Sequence, residues 1–525
     1  MILLLKLWRK LWNGFKSISV EISSLLFMTS VLMTYLIMQD FLIGRVCRVN
    51  LNYTEEVCQD VIQNTGNYTN EETEVQKVMT QLRKTRAYLD YSIPIIFVLL
   101  HGSWSDINGR KLTLLLPCIG FILQALSLFV SVQFDKWDAY TVILLSTLPK
   151  CLSGSDVTFR MAALSYASDI SAKHSRTVRT GLVSAAFTLG VPLGFALGGA
   201  SVKASIGSEI AFLVSAGISA CAFLIILVFI DSNPISYTED ASSNTPRRKS
   251  QIKFWSLANF KSILKSVVLS FDGISLAGRI QFALLIVVIV CINAPIQGEF
   301  GIMYLYLRKK LGWDLGDYSL FSTYISLIGV VGTIISVGLF CSYLKLSDPV
   351  IGFIAGISQF GGCFMYAFAY SNLMIYLAPT IDMFNGTMAV VAKSMLSKLT
   401  PVDNYGKMFS LLAVIELLVP LVFDPTYSTI YEKTIDSFPG AVFLLSAALT
   451  ILPQLTYLFY IWKNRSTVSC EIHTKVDDTK DGHKRNSCTP KFIDAKFTDS
   501  FNSIHSNPEA LKSALSTTTV DTVVY

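Results

Sequence analysis

The segment His101-Gly-Ser-Trp-Ser-Asp-Ile-Asn-Gly-Arg-Lys111 separates two apolar runs, residues 91–100 and 112–132. Gly102 and Gly109 permit a sharp backbone turn or a close helix approach. Asp106 and Arg110 are near enough in sequence to pair with each other or with a helix end, where charge interacts with the helix dipole. We therefore predict a tight polar turn between two membrane spans, the alternative being an ordinary charged loop with two glycines.

Composition supports a membrane protein, since 52% of the 525 residues are hydrophobic and only 15% are charged. A soluble domain carries nearer a quarter charged residues. The apolar residues form blocks of about 20, the length of a helix that crosses a bilayer. Backbone polar groups in lipid must be paired within the segment, which predicts an all-α membrane protein.

The apolar blocks predict two six-helix bundles, at residues 19–230 and 279–462. They are joined by a polar linker, 231–278, and flanked by an N-terminus, 1–18, and a tail, 463–525, predicted to be disordered because it holds few apolar residues. The predicted spans are 19–43, 88–104, 112–133, 139–166, 180–202, 208–230, 280–306, 318–343, 349–370, 372–396, 408–430 and 440–462.

Basic residues concentrate in every second connection between the predicted spans; examples are Arg110, Lys111 and the linker segment 247–249. The positive-inside rule then places both termini in the cytosol. It makes the loop 44–85 extracellular, where Asn52 and Asn67 begin glycosylation motifs. Cys47 and Cys58 in this loop are candidates for a disulfide, the alternatives being free thiols or other partners.

The turn at 101–111 resembles the Gly-x-x-x-Asp-x-x-Gly-Arg-Lys/Arg loop of the major facilitator superfamily. Residues 165–179, 393–400 and 406–410 look like loops of its proton-coupled folate transporter family. The resemblance implies two bundles that expose a central cavity alternately to each side. It also implies a small anionic organic solute and a conformational latch made by Gly102, Asp106, Gly109, Arg110 and Lys111.

Charged residues within membrane spans are costly and are therefore functional candidates. Those assigned to substrate binding are Arg160, Lys393 and Asp156; those assigned to proton coupling are Glu299, Glu416 and His101. Asp156 and Arg160 are four residues apart and share a helix face, so mutual neutralisation is the alternative. Glu21, Asp40 and Asp90 lie near span ends, where we expect them to reach water. Ser184 stands where the resembling family carries a glutamate implicated in proton coupling.

These observations predict a proton-coupled secondary active transporter of a small organic anion, folate-like or cyclic-dinucleotide-like. A pH-independent exchanger or facilitative carrier is the first alternative, and a non-transporting receptor or scaffold is the second. Partners are the solute, protons and membrane lipid; no cofactor, metal site, nucleic acid polymer or enzymatic activity is expected. The cytosolic segments contain no dileucine or tyrosine sorting motif, which favours the plasma membrane over the lysosome.

Overall fold

The computed structural model describes residues 16, 18–63, 68–171, 176–204, 206–231, 276–344, 346–400 and 405–477, and their regular elements are all helical. The helices of the N-terminal half are α1 (Ser19–Arg45), α2 (Glu55–Gln63), α3 (Thr69–Asn108), α4 (Lys111–Gln133), α5 (Ala139–Leu152), α6 (Ser155–Asp169), α7 (Arg176–Lys203) and α8 (Ser208–Phe229). Those of the C-terminal half are α9 (Leu276–Leu311), α10 (Leu315–Ile335), α11 (Asp348–Ala367), α12 (Asn372–Ile381), α13 (Asn385–Leu399), α14 (Tyr405–Thr434) and α15 (Ala441–Asp477).

The two halves are six-helix bundles, as predicted. Within the described chain, nine helices are long and apolar enough to cross a membrane. The remaining spans are α3, the α5–α6 pair and α14. The charged side chains that line the cavity described below belong to α3 and α14, and α5 carries Lys150, which binds one of them. Charge is what makes a helix look unlike a lipid-spanning segment.

Two predicted spans, 139–166 and 372–396, are broken rather than continuous. The first break lies between α5 and α6, where Gly154 has φ 90° and Ser155 has φ 60°. Glycine adopts this left-handed backbone without steric cost. The second break lies between α12 and α13, where Asn385 donates to the Asp382 carboxylate at 3.0 Å. Such short polar side chains compete with helical hydrogen bonding.

The segment predicted as a loop, 44–85, is mostly helical. A π-helical turn, Val46–Asn50, extends α1, and α2 follows; Cys47 and Cys58 join them by a disulfide. The third helix then runs unbroken for 40 residues, or roughly 60 Å at 1.5 Å per residue. A bilayer core is about 30 Å thick, so the first part of α3 extends beyond it.

The two ends of the bundles differ in how the halves meet. We call the end with Cys47 and Cys58 the disulfide face and the opposite end the Arg110 face. On the disulfide side one hydrophobic cluster includes residues of both halves, such as Ile37, Phe195 and Tyr306. Towards the Arg110 face each half has its own cluster. The shared core therefore holds the halves together at the disulfide face.

Glycines on α7 allow close packing against α1. A Cβ at Gly190 would lie 2.9 Å from the Leu25 carbonyl oxygen, and one at Gly194 would lie 2.6 Å from that of Thr29. Small residues at such spacing let two membrane helices approach closely.

Two glycines on α10 provide a matched test of the broken α12–α13 span. A Cβ at Gly332 would lie 1.8 Å from the carbonyl oxygen of Met383, a backbone atom at the break, whereas one at Gly329 would have open space. We expect Gly332→Ala to lower stability by about 1–3 kcal/mol through overpacking, and Gly329→Ala to leave it unchanged. The melting temperatures of the two purified variants test this expectation. Equal melting temperatures would show that the backbone between α12 and α13 moves to accept the methyl group without loss of stability.

The last helix continues to Asp477, past position 463 where the disordered tail was predicted to begin. Described residues up to Trp462 form one compact unit, and those from Lys463 belong to a second. Most of the predicted linker, 232–275, and the tail from 478 lie outside the described residues.

Candidate functional site

A cavity of ≈ 140 Å³ lies between the two halves. The N-terminal half contributes α1, α3 and α5 to its wall, and the C-terminal half contributes α9 and α14. Tyr35 and Asp424 each lie ten residues before the disulfide-face end of their helix, or about 15 Å along the helix axis. The cavity is therefore well inside the bundles.

An ion pair crosses the cavity from one half to the other. Arg83 Nη2 on α3 lies 2.8 Å from Asp424 Oδ1 on α14 and 3.0 Å from Oδ2. The Asp424 side chain is only 6% exposed and that of Arg83 14%. Gly301 on α9 makes room for this pair, since a Cβ there would lie 1.3 Å from Arg83 Nη2.

A second carboxylate, Asp90 on α3, is bound by two cations of the same half. Lys150 Nζ lies 2.7 Å from Asp90 Oδ1, and Arg86 Nε lies 3.1 Å from Oδ2. The Cys151 thiol also donates to Asp90, at 3.5 Å. Asp90 was expected to reach water near a span end; instead it is largely buried, because these donors stabilise its charge inside the protein.

Aromatic rings complete the wall on both sides of the boundary. Tyr35 on α1 stacks on Phe300 of α9, with ring centroids 5.2 Å apart. The Arg86 guanidinium lies 5.4 Å from the centroid of the Tyr35 ring, close enough for a cation–π interaction. Apolar ring faces beside guanidinium groups suit an organic anion with both a charged and a flat apolar part.

Polar contacts close the disulfide face above the cavity. Each joins α3 to α9, to α14 or to the turn that follows α14: Glu72–Arg308, Thr73–Lys309, Gln76–Tyr431, Lys77–Asp436, Gln81–Glu432 and Lys84–Glu432. Burial opposes ionisation of Glu432, but the Gln81 amide and the Lys84 ammonium outweigh it and hold the pKa of that carboxyl below its ordinary value. The acceptor thus stays ionised in mildly acidic as well as neutral solution.

Ion pairs near the Arg110 face stay within one half, as far as the described residues show. Lys16 pairs with Asp231 and Arg179 with Glu21 in the N-terminal half. In the C-terminal half, Lys398 pairs with Asp348. The halves are thus joined by polar contacts at the disulfide face but not by these pairs at the Arg110 face.

The predicted latch forms a tight turn, as expected. Gly109 has φ 95° and donates its backbone N–H to the Ser105 carbonyl at 3.0 Å, ending α3. Arg110 Nε donates to Asp169 at 3.0 Å, and Lys111 Nζ donates to the Leu227 carbonyl at 2.8 Å. Gly102 and Asp106 lie in the last turns of α3, where their side-chain surroundings are outside the described part of the structure.

The residues predicted to bind substrate are not gathered at the cavity. Asp156 and Arg160 form no ion pair with each other among the described contacts; the Arg160 guanidinium lies 5.3 Å from the Phe187 ring centroid. Lys393 on α13 instead pairs with Glu416 on α14, at 2.5 Å. The sequence had assigned these two residues separate roles, in anion binding and proton coupling, and the structure makes them partners.

The other two candidates for proton coupling lie in separate bundles. Glu299 on α9 accepts from the Cys363 thiol of α11 at 3.7 Å. His101 is buried on α3 with its ring 6.4 Å from that of Phe97. Of the glycosylation candidates, Asn52 is exposed at the disulfide face, and Asn67 lies outside the described residues.

Sequence reasoning missed most of the cavity. Arg83 and Arg86 were assigned to the polar loop or its edge, and Lys150 and Asp424 were not singled out. One sequence pattern places Arg83 and Arg86 on a membrane helix. Residues 68–93 contain no glycine or proline, which favours a continuous helix into the membrane. The α3 residues 76, 77, 80, 83 and 84 then share one helix face.

Comparison with known proteins identifies the fold and the family. The Major Facilitator Superfamily model matches residues 89–423. The chain is 26% identical over 445 residues to the "Probable peptidoglycan muropeptide transporter SLC46" of Drosophila melanogaster, covering 82% of each. It is 27% identical over 393 residues to the human "Lysosomal proton-coupled steroid conjugate and bile acid symporter SLC46A3", covering 74% of this chain and 81% of that protein.

A rat "Proton-coupled folate transporter" is 24% identical over 368 residues, covering 70% of this chain and 75% of that protein. Among solved structures, the human organic anion transporter MFSD10 superposes with a TM-score of 0.56 at 15% identity, covering 84% of this chain and 99% of that one. A D-xylose–proton symporter gives 0.58 at 14% identity, covering 85% and 97%. The chain therefore belongs to the Major Facilitator Superfamily, and its resemblance is to the folate transporter-like solute carriers within it.

Proposed function

We propose that this membrane transporter carries a small organic anion and binds the anionic group at the cavity between its halves. The observation behind the proposal is that two guanidinium groups, those of Arg83 and Arg86, line the cavity beside the Tyr35 and Phe300 rings. Asp90, the partner of Arg86, is also bound by Lys150, which does not itself line the cavity. Guanidinium groups form two-pronged, charge-assisted hydrogen bonds with carboxylates and phosphates, so an incoming anionic group is stabilised at this place.

Arg86 is the residue best placed to receive the solute. Its Nε is bound to Asp90, while the described hydrogen bonds leave its two terminal nitrogens available at the cavity wall. A guanidinium offers two parallel donors to a carboxylate or phosphate. The cavity is smaller than the roughly 300–1,000 Å³ of drug-sized pockets, so we assign it to the anionic group and an adjoining ring of a larger solute.

We infer that transport proceeds by alternating access. The polar contacts at the disulfide face and the separate cores towards the Arg110 face support a carrier closed at the first and opened at the second. With both termini cytosolic, as the basic connections favour, this is the inward-facing state. The Arg110 turn, with Asp169 as partner, acts as the conformational latch when the halves rock.

We further propose that uptake is coupled to protons, with Glu299 as the coupling carboxylate. No described cation lies within ion-pair distance of Glu299, whereas Glu416 is neutralised by Lys393. A carboxylate with a thiol and a hydroxyl as its described donors, and no cation, gains most from protonation during transport. An uptake rate that does not change with external pH would instead favour exchange or facilitated diffusion.

The solute class and the membrane are part of the same proposal. The relatives are named for muropeptides, for steroid conjugates and bile acids, and for folate. We propose a folate-like or cyclic-dinucleotide-like anion for this chain. Absence of a recognised sorting motif supports the plasma membrane, although the human relative is named as lysosomal.

Neutralising Arg86 tests the binding site. We expect Arg86→Gln to reduce uptake of labelled folinate or cyclic GMP-AMP about 10- to 100-fold, because a charge-assisted hydrogen bond contributes about 1.5–3 kcal/mol. The fold should persist, since Lys150 still neutralises Asp90. Uptake is measured at acidic and neutral external pH, with and without a protonophore.

Two further variants make the Arg86 test specific. Arg86→Lys keeps the charge but loses the two-pronged geometry, so we expect partial uptake. Arg48→Gln removes an arginine whose side chain is 46% exposed and pairs with Glu55, and should match the unmodified chain. Normal uptake by Arg86→Gln at normal surface level would remove the cavity from the proposed site.

A further inference from the structure

The Arg83–Asp424 pair combines two properties among the described ion pairs: it joins the two halves, and both its residues line the cavity. Asp90, the other carboxylate of the cavity, is bound by cations of its own half. Breaking the Asp90 contacts would rearrange one bundle, whereas breaking the Arg83–Asp424 contact would remove the described ion pair that joins the bundles at the cavity.

We propose that Asp424 is an internal anion that occupies Arg83 while the carrier is empty, and that the solute's anionic group displaces it. The inference rests on the proposed function, because it requires an anionic solute at this cavity. A buried guanidinium without a partner is strongly unfavourable. The contact between the halves is therefore exchanged most easily when another anion takes the place of the Asp424 carboxylate.

The surroundings of the pair favour exchange rather than simple separation. Arg83 Nη1 donates to no further carboxylate among the described contacts; it donates weakly to the Tyr35 hydroxyl at 3.4 Å. Arg86 lies one turn further along α3 and reaches the same cavity. An anionic group held first by Arg86 is thus delivered beside Arg83, where it competes with Asp424 for the guanidinium.

This arrangement makes solute binding and release of the disulfide face one event. A neutral solute cannot compensate Arg83, so it leaves the halves joined. An anion weakens the contact between them and permits the carrier to open at that face. The same competition selects anions over neutral analogues of equal shape, since specificity is a difference between the two binding free energies.

A thiol reporter at the closed face measures whether the pair holds the halves together. Thr80 is fully buried and lies on the α3 face that carries Gln76, Arg83 and Lys84. In the purified full chain carrying Thr80→Cys, maleimide modification of residue 80 is followed by mass spectrometry. We expect Asp424→Asn to accelerate modification about tenfold without solute, in the usual range of coupling between sites.

The exposed pair Lys77–Asp436 supplies the matched control. It also joins α3 to the C-terminal half, but the Asp436 side chain is 63% exposed, and exposed pairs contribute little. Asp436→Asn should therefore leave the modification rate unchanged. Modification of Asp424→Asn at the parent rate would overturn the inference.

Two more measurements complete the test. The first asks whether the charges of Arg83 and Asp424, rather than the shapes of their side chains, keep the disulfide face closed. The second asks whether the solute displaces Asp424. Exchanging the charges, Arg83→Asp with Asp424→Arg, should slow modification again; a rate as fast as that of Asp424→Asn would show that the ion pair is not the cause. Folinate or cyclic GMP-AMP, whichever the unmodified chain takes up, should accelerate modification of the parent but not of Asp424→Asn. Equal acceleration of both would overturn displacement.

Failure of this inference and failure of the proposed function give different results. Normal anion uptake with no effect of Asp424→Asn on modification would leave the transporter assignment standing and overturn the internal anion. Fast modification of Asp424→Asn, without uptake of either probe by the unmodified chain, would support the Arg83–Asp424 pair as a contact that holds the halves together. It would also overturn displacement by these solutes.

Discussion

A carrier in which Asp90 is replaced by alanine is expected to lose most of its folded population and its uptake. The substitution leaves Arg86 and Lys150 facing each other without the carboxylate that neutralises both, at side chains only 13% and 7% exposed. Removing one partner of a buried ion pair costs about 3–5 kcal/mol. Native stability is typically only about 5–15 kcal/mol, so the loss should be visible as a lower melting temperature and a lower surface level.

Two further variants show whether charge is the cause. Asp135→Ala removes a carboxylate that is 95% exposed beside Arg45, and should leave stability and uptake unchanged. Adding Lys150→Met to Asp90→Ala removes one of the stranded cations, so it should recover part of the stability without restoring uptake. If Asp90→Ala melts like the unmodified protein, the Asp90 cluster is open to water and the buried-site argument fails.

Placing a methyl group at Gly301 is expected to reduce uptake strongly, although glycine has no side chain that could contact a solute. A Cβ at this position would lie 1.3 Å from Arg83 Nη2 and 1.6 Å from Cζ, so the whole guanidinium must leave. Asp424 then loses its cation inside the protein. We expect Gly301→Ala to reduce uptake by more than about tenfold and to loosen the disulfide face, since it breaks the described ion pair that joins the halves at the cavity.

Gly217 on α8 is the matched control, because a Cβ there meets nothing within 4 Å. Gly217→Ala adds the same methyl group to a membrane helix and, by helix propensity, should be neutral or stabilising by up to about 1 kcal/mol. Uptake and surface level of both variants are compared in the same cells. Full uptake by Gly301→Ala would show that Arg83 can leave Gly301 without consequence for transport.

The parts predicted correctly depend on interactions local in sequence. Apolar blocks about 20 residues long predict helices because the bilayer leaves no other way to pair the backbone. The turn at Gly109 and Arg110 was recognisable because its spacing suits a short polar connection. The errors follow from the same reliance on local pattern. Charges made α3 look like a loop, and smooth hydropathy concealed the breaks at Gly154 and at residues 382–384.

The sequence by itself determined the fold class, the division into two bundles and the presence of charged residues that lipid does not tolerate unpaired. Tertiary structure alone decided which of these charges are partners. Arg83 and Asp424 are 341 positions apart, and Lys393 pairs with Glu416 rather than facing the cavity. The physical reason is that low polarity requires each buried charge to have a partner, but the identity of that partner depends on how the helices pack.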